Sequence, residues 1–281
     1  MLTIKEAVDS AAGKIGSDTP KLDAEWLLIH VLGKRPAYLH TWPDKELSAD
    51  VVSAFEELVA RRCTGVPVAH LVGSQGFWDL ELEVNDSTLI PRPETELIIE
   101  AVLERFGNYV YTCVDLGTGT GAIALALAKH RTNWTVLALD RIFGATCLAQ
   151  RNAGKNSIRN VAVINADWLH AIASDSIDIL VSNPPYIEED DEHLLQGDVR
   201  FEPITALASG KDGLDDIRDI VMQSVECLKA EGVLVLEHGY QQAESVQQIL
   251  RQQAFINIET VQDLAGHSRV TLGRRPKGVG K

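Results

Sequence analysis

Cysteine is scarce and scattered. The 281 residues hold four, at Cys63, Cys113, Cys147 and Cys227, with no CxxC pair. That spacing indicates neither a zinc site nor a disulfide framework, and the thiols fit a reducing, cytoplasmic setting. Positive charge is short as well. Lys and Arg number 26 against 40 Asp and Glu, a formal charge of −14. A generic binder of nucleic acid or anionic membrane needs a basic footprint, so both classes are disfavoured. No run approaches about 18 apolar residues, so no membrane span is expected. The N-terminus, MLTIKEAVDSAAGKIG, lacks a basic region followed by an apolar one, and no signal peptide is expected. The eight histidines show no HExxH or Ser-His-Asp spacing. The acidic run Glu188–His193 reads as a solvated face, and no metal site is expected.

Apolar residues make up 45% of the chain, enough to bury a core without staples. Residues 1–75 read as a helical domain. Ala24–Gly33 is apolar and ends at a glycine, and Asp50–Arg62 places Val52, Phe55, Leu58 and Val59 at helical spacing. Residues 76–93 read as a β-hairpin connector: Phe77–Val84 alternates, Asn85-Asp86-Ser87 turns, Thr88–Ile90 returns, and Pro91-Arg92-Pro93 stops it. Residues 94–281 read as an α/β domain. Strands are expected at Tyr111–Leu116, Trp134–Asp140, Val161–Asn165, Ile177–Val181, Val233–Glu237, Ile256–Thr260 and Val270–Gly273. Helices separate most of them, which predicts a mostly parallel sheet covered on both faces, with an antiparallel pair at one edge. The helical segment is nearly neutral; the α/β segment carries the acidity.

The first strand of that domain runs into Asp115-Leu116-Gly117-Thr118-Gly119-Thr120-Gly121. Alternating glycines let a backbone turn tightly and approach a ligand, and the helix behind offers unpaired N–H groups. The spacing is GxGxG with an acid two residues ahead, where dinucleotide oxidoreductases favour GxGxxG. It resembles the first motif of class I S-adenosylmethionine-dependent methyltransferases. That likeness implies that Gly117–Gly121 wrap the methionine portion, with Asp115 near its amino group. Asp140 ends the second strand, where a carboxylate can accept both ribose hydroxyls. Asp167 and Trp168 follow the third, an acid for an adenine amino group and an indole for its ring.

Ile177–Val181 leads into Ser182-Asn183-Pro184-Pro185-Tyr186. Two prolines stiffen the backbone. Asn183 brings a side-chain acceptor, Pro184 a free carbonyl and Tyr186 an aromatic face. Two acceptors and a ring suit a planar NH2 group, held for in-line attack on a sulfonium methyl. (N/D)PP(Y/F/W) is shared by enzymes that methylate adenine, cytosine and glutamine amide, so the loop alone does not choose among them.

Wider motifs narrow the choice. They are RRCTGVPVAHL at 61–71, TLIPRPETE at 88–96, residues 115–126, QRNA at 150–153, SNPPYI at 182–187, GDVRFEP at 197–203, LEHG at 236–239 and RVTLG at 269–273. Together they resemble the PrmC/HemK family of release factor glutamine methyltransferases, along nearly the whole chain. The resemblance implies a Rossmann-like seven-stranded fold. It implies S-adenosylmethionine as cofactor and S-adenosylhomocysteine as product. It also implies N5-methylation of the glutamine in the Gly-Gly-Gln motif of class I peptide-chain release factors. By it, Gly117–Gly121, Asp140, Trp168 and Asn183 contact the cofactor, alongside Asp115 and Asp167 as read above, Asn183–Tyr186 hold the target amide, and the helical domain docks the release factor. A cytoplasmic monomer is expected. The alternative is an adenine-N6 DNA methyltransferase, which must flip a base and hold phosphates; the charge of −14 disfavours it. The one basic tract, Arg269 to Lys281, reads as a solvated terminus.

Overall fold

A computed structural model describes residues 2–278; Lys281 of the basic tract lies outside them. The chain divides into two compact units. One comprises residues up to Ser74 together with His193–Phe201; the other comprises Gln75–Glu192 and the chain from Glu202 onward.

The first unit is helical: α1 (Ile4–Ala12), α2 (Pro20–Leu32), α3 (Ala37–Thr41), α4 (Ala49–Cys63) and α5 (Val68–Val72). A capping box starts α1. Glu6 N–H donates to the Thr3 hydroxyl at 3.3 Å, and Thr3 N–H donates back to the Glu6 carboxylate at 2.9 Å. Proline at the first position starts α2, and Gly33, at φ 59°, ends it where the sequence placed a cap. Ala24, Leu27, Leu28, Phe55 and Val59 meet in its core. Arg62 is buried there and held by four acceptors. Its Nε donates to Asp23 at 2.7 Å, and its Nη1 to Asp198 at 2.7 Å and to the carbonyls of Gly65 and Val66. Arg200 donates to the Thr64 carbonyl at 2.7 Å. These bonds gather residues 193–201 into the helical unit, although the sequence reading placed them within 94–281.

The second unit opens with a two-stranded ribbon, β1 (Ser74–Phe77) and β2 (Leu80–Glu83). The turn falls at Trp78-Asp79, inside the stretch read as one strand, and 88–90 forms no strand. No glycine marks this turn. Trp78 takes φ 55° because its surroundings hold it: its N–H donates to Glu96 at 2.7 Å and its indole to His130 at 3.0 Å. Leu80, Leu82 and Val84 do share the buried face that alternation predicted.

Then follow α6 (Glu96–Arg105), β3 (Thr112–Leu116), α7 (Ala122–His130), β4 (Thr135–Asp140), α8 (Phe143–Lys155), β5 (Val161–Asn165), β6 (Ile177–Ser182), α9 (Asp215–Cys227), β7 (Leu228–Glu237), α10 (Ala243–Gln252), β8 (Ile256–Gln262) and β9 (Ser268–Arg274). Among the described residues the main sheet has seven strands, in the order β5-β4-β3-β6-β7-β9-β8. β5, β4, β3, β6 and β7 run parallel to one another; β9 pairs antiparallel with β7 and β8. One face is packed by α6 and α7 residues such as Ile98, Ile99 and Leu125, the other by Ile217, Ile220 and Val246 of α9 and α10. β7 starts five residues earlier than expected. Glu231 takes φ 66° and its carbonyl is held by Arg274, so Leu228–Gly232 stays in the sheet rather than extending α9.

The chain passes from β3 outward through β4 to β5, then returns to lay β6 on the other side of β3. Such a switch point leaves a crevice beyond the carboxyl ends of the strands.

Candidate active site

Register brings the motifs together. Leu116 is opposite Leu139 and opposite Ser182. Gly117, Asp140 and Asn183 therefore leave three adjacent strand ends. The Ser182 hydroxyl donates to the Leu116 carbonyl at 2.8 Å, locking the two central ends.

Gly117, Gly119 and Gly121 have φ of 68°, 54° and 86°. Three left-handed residues at alternate positions explain why glycine stands at each. Asp115 is fully buried behind this loop. Its Oδ2 accepts from the Thr118 hydroxyl at 2.6 Å and from the Ala124 N–H at 3.1 Å, while Oδ1 has no partner. Burial pushes its carboxyl up to about 7, against the pull of those two donors. Asp140 ties to the same loop, accepting from Gly119 N–H at 2.9 Å and from Ile142 N–H at 2.8 Å. Its pKa is also raised, chiefly by burial.

A cleft of about 950 Å³, counting space open to solvent, lies over these ends. Gly117, Thr118, Gly119, Thr120, Asp140, Trp168, Asn183 and Pro185 line it. The Trp168 ring lies against Gly117, where an added Cβ would meet it at 3.6 Å. Asp115, Gly121 and Asp167 do not line it. Asp115 supports the loop from behind, Gly121 caps α7, and Asp167 is exposed. Pro184 is buried and Tyr186 half-buried, both just outside the lining.

The Asn183 amide donates through Nδ2 to the Thr95 hydroxyl at 3.0 Å. Tyr186 donates through Oη to Glu237 at 3.3 Å. The loop's backbone is braced: Tyr186 N–H and Ile187 N–H both donate to the Leu207 carbonyl, at 3.1 and 2.9 Å, and Gln242 donates to the Tyr186 carbonyl at 2.9 Å. Gly213, at φ 69°, passes so close that an added Cβ would lie 2.2 Å from the Tyr186 carbonyl oxygen.

Sequence reasoning left residues 87–95 out of the site. They supply Thr88, Arg92 and Thr95 to the cleft wall. Arg92 donates to both oxygens of buried Glu202, at 2.8 and 2.9 Å, beside Pro203 and Thr205 of the opposite wall. The TLIPRPETE and FEP segments carried the signal, but alternation made the first look like a strand. His238 is buried, pairs with Thr271 at 2.8 Å and has a lowered pKa from burial, a strand-end role.

The cleft fits an adenosyl cation ligand. It has a glycine cradle, a strand-end carboxylate, an indole face and a buried Thr88 hydroxyl with no protein partner. No group of His, Cys, Asp or Glu among the described residues could hold a metal ion.

Residues 9–73 match the family described as PrmC N-terminal domain, and 93–198 the methyltransferase small domain. The release factor glutamine methyltransferase of Shewanella oneidensis is 45% identical over 258 residues, covering 92% of this chain and 90% of the relative. That of Pseudomonas aeruginosa is 47% identical, covering 92% and 94%. Among solved structures, a methyltransferase from Pyrococcus furiosus aligns with a TM-score of 0.53 at 15% identity, over 71% of this chain and 90% of that one. The chain belongs to the release factor glutamine methyltransferase family, enzymes of the class I fold that take their methyl group from S-adenosylmethionine.

Proposed function

We propose that this protein methylates the side-chain amide nitrogen of the glutamine in the Gly-Gly-Gln motif of class I peptide-chain release factors. The observation that carries this reading is Asn183 at the cleft wall, its Nδ2 engaged by Thr95. That leaves Oδ1 as the acceptor for a ligand N–H. The Pro184 carbonyl is the second acceptor, and Pro185 stiffens the loop between them and Tyr186. Two acceptors hold the two hydrogens of a primary amide and fix its plane. An amide nitrogen is a weak nucleophile, so rigid placement contributes most of what the protein supplies. As charge grows on nitrogen, both acceptors bind more strongly, which favours the transition state.

S-adenosylmethionine supplies an electrophilic methyl on sulfur. Gly117–Thr120 and Trp168 hold it, Asp140 takes the ribose hydroxyls, and the Thr88 hydroxyl is free to take a further polar contact. No metal or strong base is needed before transfer. The helical unit docks the release factor, and the enzyme works as a cytoplasmic monomer without nucleic acid. No helix among the described residues is long and apolar enough to cross a membrane.

The test is methyl transfer from labelled S-adenosylmethionine to a release factor, to its variant with the Gly-Gly-Gln glutamine replaced by alanine, and to unmethylated duplex DNA. Label on the intact release factor alone supports the reading. Label on the alanine variant or on DNA overturns it.

A further inference from the structure

Pro184 and Pro185 fix their own φ angles but not the torsions that aim Tyr186. Rotation about the Pro185 and Tyr186 backbone bonds would swing the ring off the plane of a bound amide. Contacts outside the motif must set those torsions.

Tyr186 is held at three points. Its N–H donates to the Leu207 carbonyl at 3.1 Å, its carbonyl accepts from Gln242 Nε2 at 2.9 Å, and its Oη donates to Glu237 at 3.3 Å. The first bond orients the peptide group before Tyr186 and the second the peptide group after it. Holding both planes sets φ and ψ of the residue between them, and with these the direction of its side chain.

Gln242 stands immediately before α10, 56 positions from Tyr186, and both ends of its amide are committed. Oε1 accepts the Gly239 N–H at 2.9 Å, so Nε2 is the end that meets the Tyr186 carbonyl. Reversed, the amide would set NH2 against an N–H and oxygen against a carbonyl. Nε2 also donates to the Asp212 carbonyl at 3.3 Å. Gly213 keeps the path between them open. A Cβ there would lie 2.2 Å from the Tyr186 oxygen and 2.8 Å from Gln242 Nε2.

We infer that Gln242 is a positioning residue for methyl transfer: through the Tyr186 carbonyl it fixes the exit of the Asn183–Tyr186 loop, and Gly213 gives it the room to do so. The inference rests on the glutamine-amide reading above. Gln242 does not line the cleft and acts on the reaction through Tyr186. A residue that merely closed the turn between β7 and α10 would need only the Gly239 bond.

The experiment uses the full-length enzyme, a release factor and the variants Gln242→Glu and Gln242→Ala. At about pH 8 the glutamate is ionised. It keeps an acceptor for the Gly239 N–H and suits the start of a helix, but it cannot donate to the Tyr186 carbonyl. Alanine loses both bonds. Positioning through Tyr186 predicts that kcat falls about tenfold or more in both variants, with KM for the release factor and Kd for S-adenosylmethionine each within about threefold. Turn closure alone predicts near-parent kcat in Gln242→Glu.

A second readout needs no turnover. Tyr186-Ile187 is the only Tyr-Ile pair in the sequence. Protein labelled with 13C at its tyrosine carbonyls and 15N in its isoleucines therefore gives one correlated signal, from that peptide group. Its carbonyl resonance should move upfield in both variants as the hydrogen bond is lost. Near-parent kcat in Gln242→Glu, a loss carried by KM or cofactor affinity instead of kcat, or an unmoved carbonyl resonance overturns the inference. If Gln242→Ala does not fold, Gln242→Glu decides, since it keeps the turn. Unlabelled release factor with the parent enzyme overturns the functional reading, and the inference falls with it. A labelled release factor with both parent and a fully active Gln242→Glu overturns the inference alone.

Discussion

Asp140 accepts the Gly119 N–H at 2.9 Å, so the acid at the end of β4 holds the glycine loop at the end of β3. The carboxylate braces the loop, and in the proposed function it also receives the ribose. Asp140→Ala removes both. Hydrogen bonds to charged groups contribute about 1.5–3 kcal/mol, so the affinity for S-adenosylmethionine should fall about 10- to 100-fold by calorimetry. Unchanged affinity would remove Asp140 from the cofactor site.

Asn183→Ala should separate chemistry from cofactor binding. The glycine loop, Asp140 and Trp168 are untouched, so cofactor affinity should stay within about threefold, while kcat falls about 100-fold or more. Near-normal turnover would reject the amide clamp.

Thr88 is 2% exposed and its hydroxyl has no protein partner. An unpaired buried hydroxyl costs about 1–3 kcal/mol. Thr88→Val should raise the melting temperature of the cofactor-free protein while weakening S-adenosylmethionine binding. Stabilisation with intact affinity would show that the hydroxyl serves no ligand.

The Asp115 carboxyl titrates near 3.8 ordinarily and is pushed up to about 7 by burial. Its folded pKa lies above its unfolded one, so the folded state binds more protons between them. Its contribution is fully present below about pH 4 and is lost as pH rises through about 7. Asp115→Asn, which stays neutral, should therefore gain stability relative to the parent across that window and level off above it. Urea titrations at pH 4.5, 6 and 8 measure this. A constant difference at all three would place Asp115 in a solvated setting.

Arg62 meets Asp23 inside the helical unit and Asp198 at its edge. The Asp23 side chain is 10% exposed and that of Asp198 41%. Arg62→Ala leaves the buried Asp23 carboxylate with only the Ser17 and Thr19 hydroxyls and should cost about 3 kcal/mol. Asp198→Ala leaves Arg62 with Asp23 and two carbonyls, and should cost about 1 kcal/mol or less. Equal losses in thermal unfolding would contradict this ranking. Limited proteolysis should show residues 193–201 cleaved faster in Asp198→Ala than in the parent.

Much of the site was legible because its chemistry is local. Three alternating glycines prescribe a loop wherever they occur, and two prolines after Asn183 prescribe a stiff exit. Alternating apolar strands and helices prescribe a parallel sheet, whose switch point brings Gly117, Asp140 and Asn183 to one crevice. Asp115 shows where local reading stops. The motif marks it as an acid near the ligand, yet its carboxylate turns inward to Thr118 and Ala124.

The amino-acid sequence by itself determined the strand–helix order, the glycine loop and the stiff Asn183–Tyr186 segment, because backbone preference and periodicity act over a few residues. Only the tertiary structure decided where the ribbon turns, since Trp78 adopts its left-handed conformation through Glu96 and His130. It also decided that residues 193–201 return to the helical unit through Arg62, and that Gln242 holds Tyr186. Asn183 and Thr95 stand 88 positions apart, and their bond forms only once β6 is laid beside β3. Such pairings depend on surfaces that packing creates, and no local pattern encodes them.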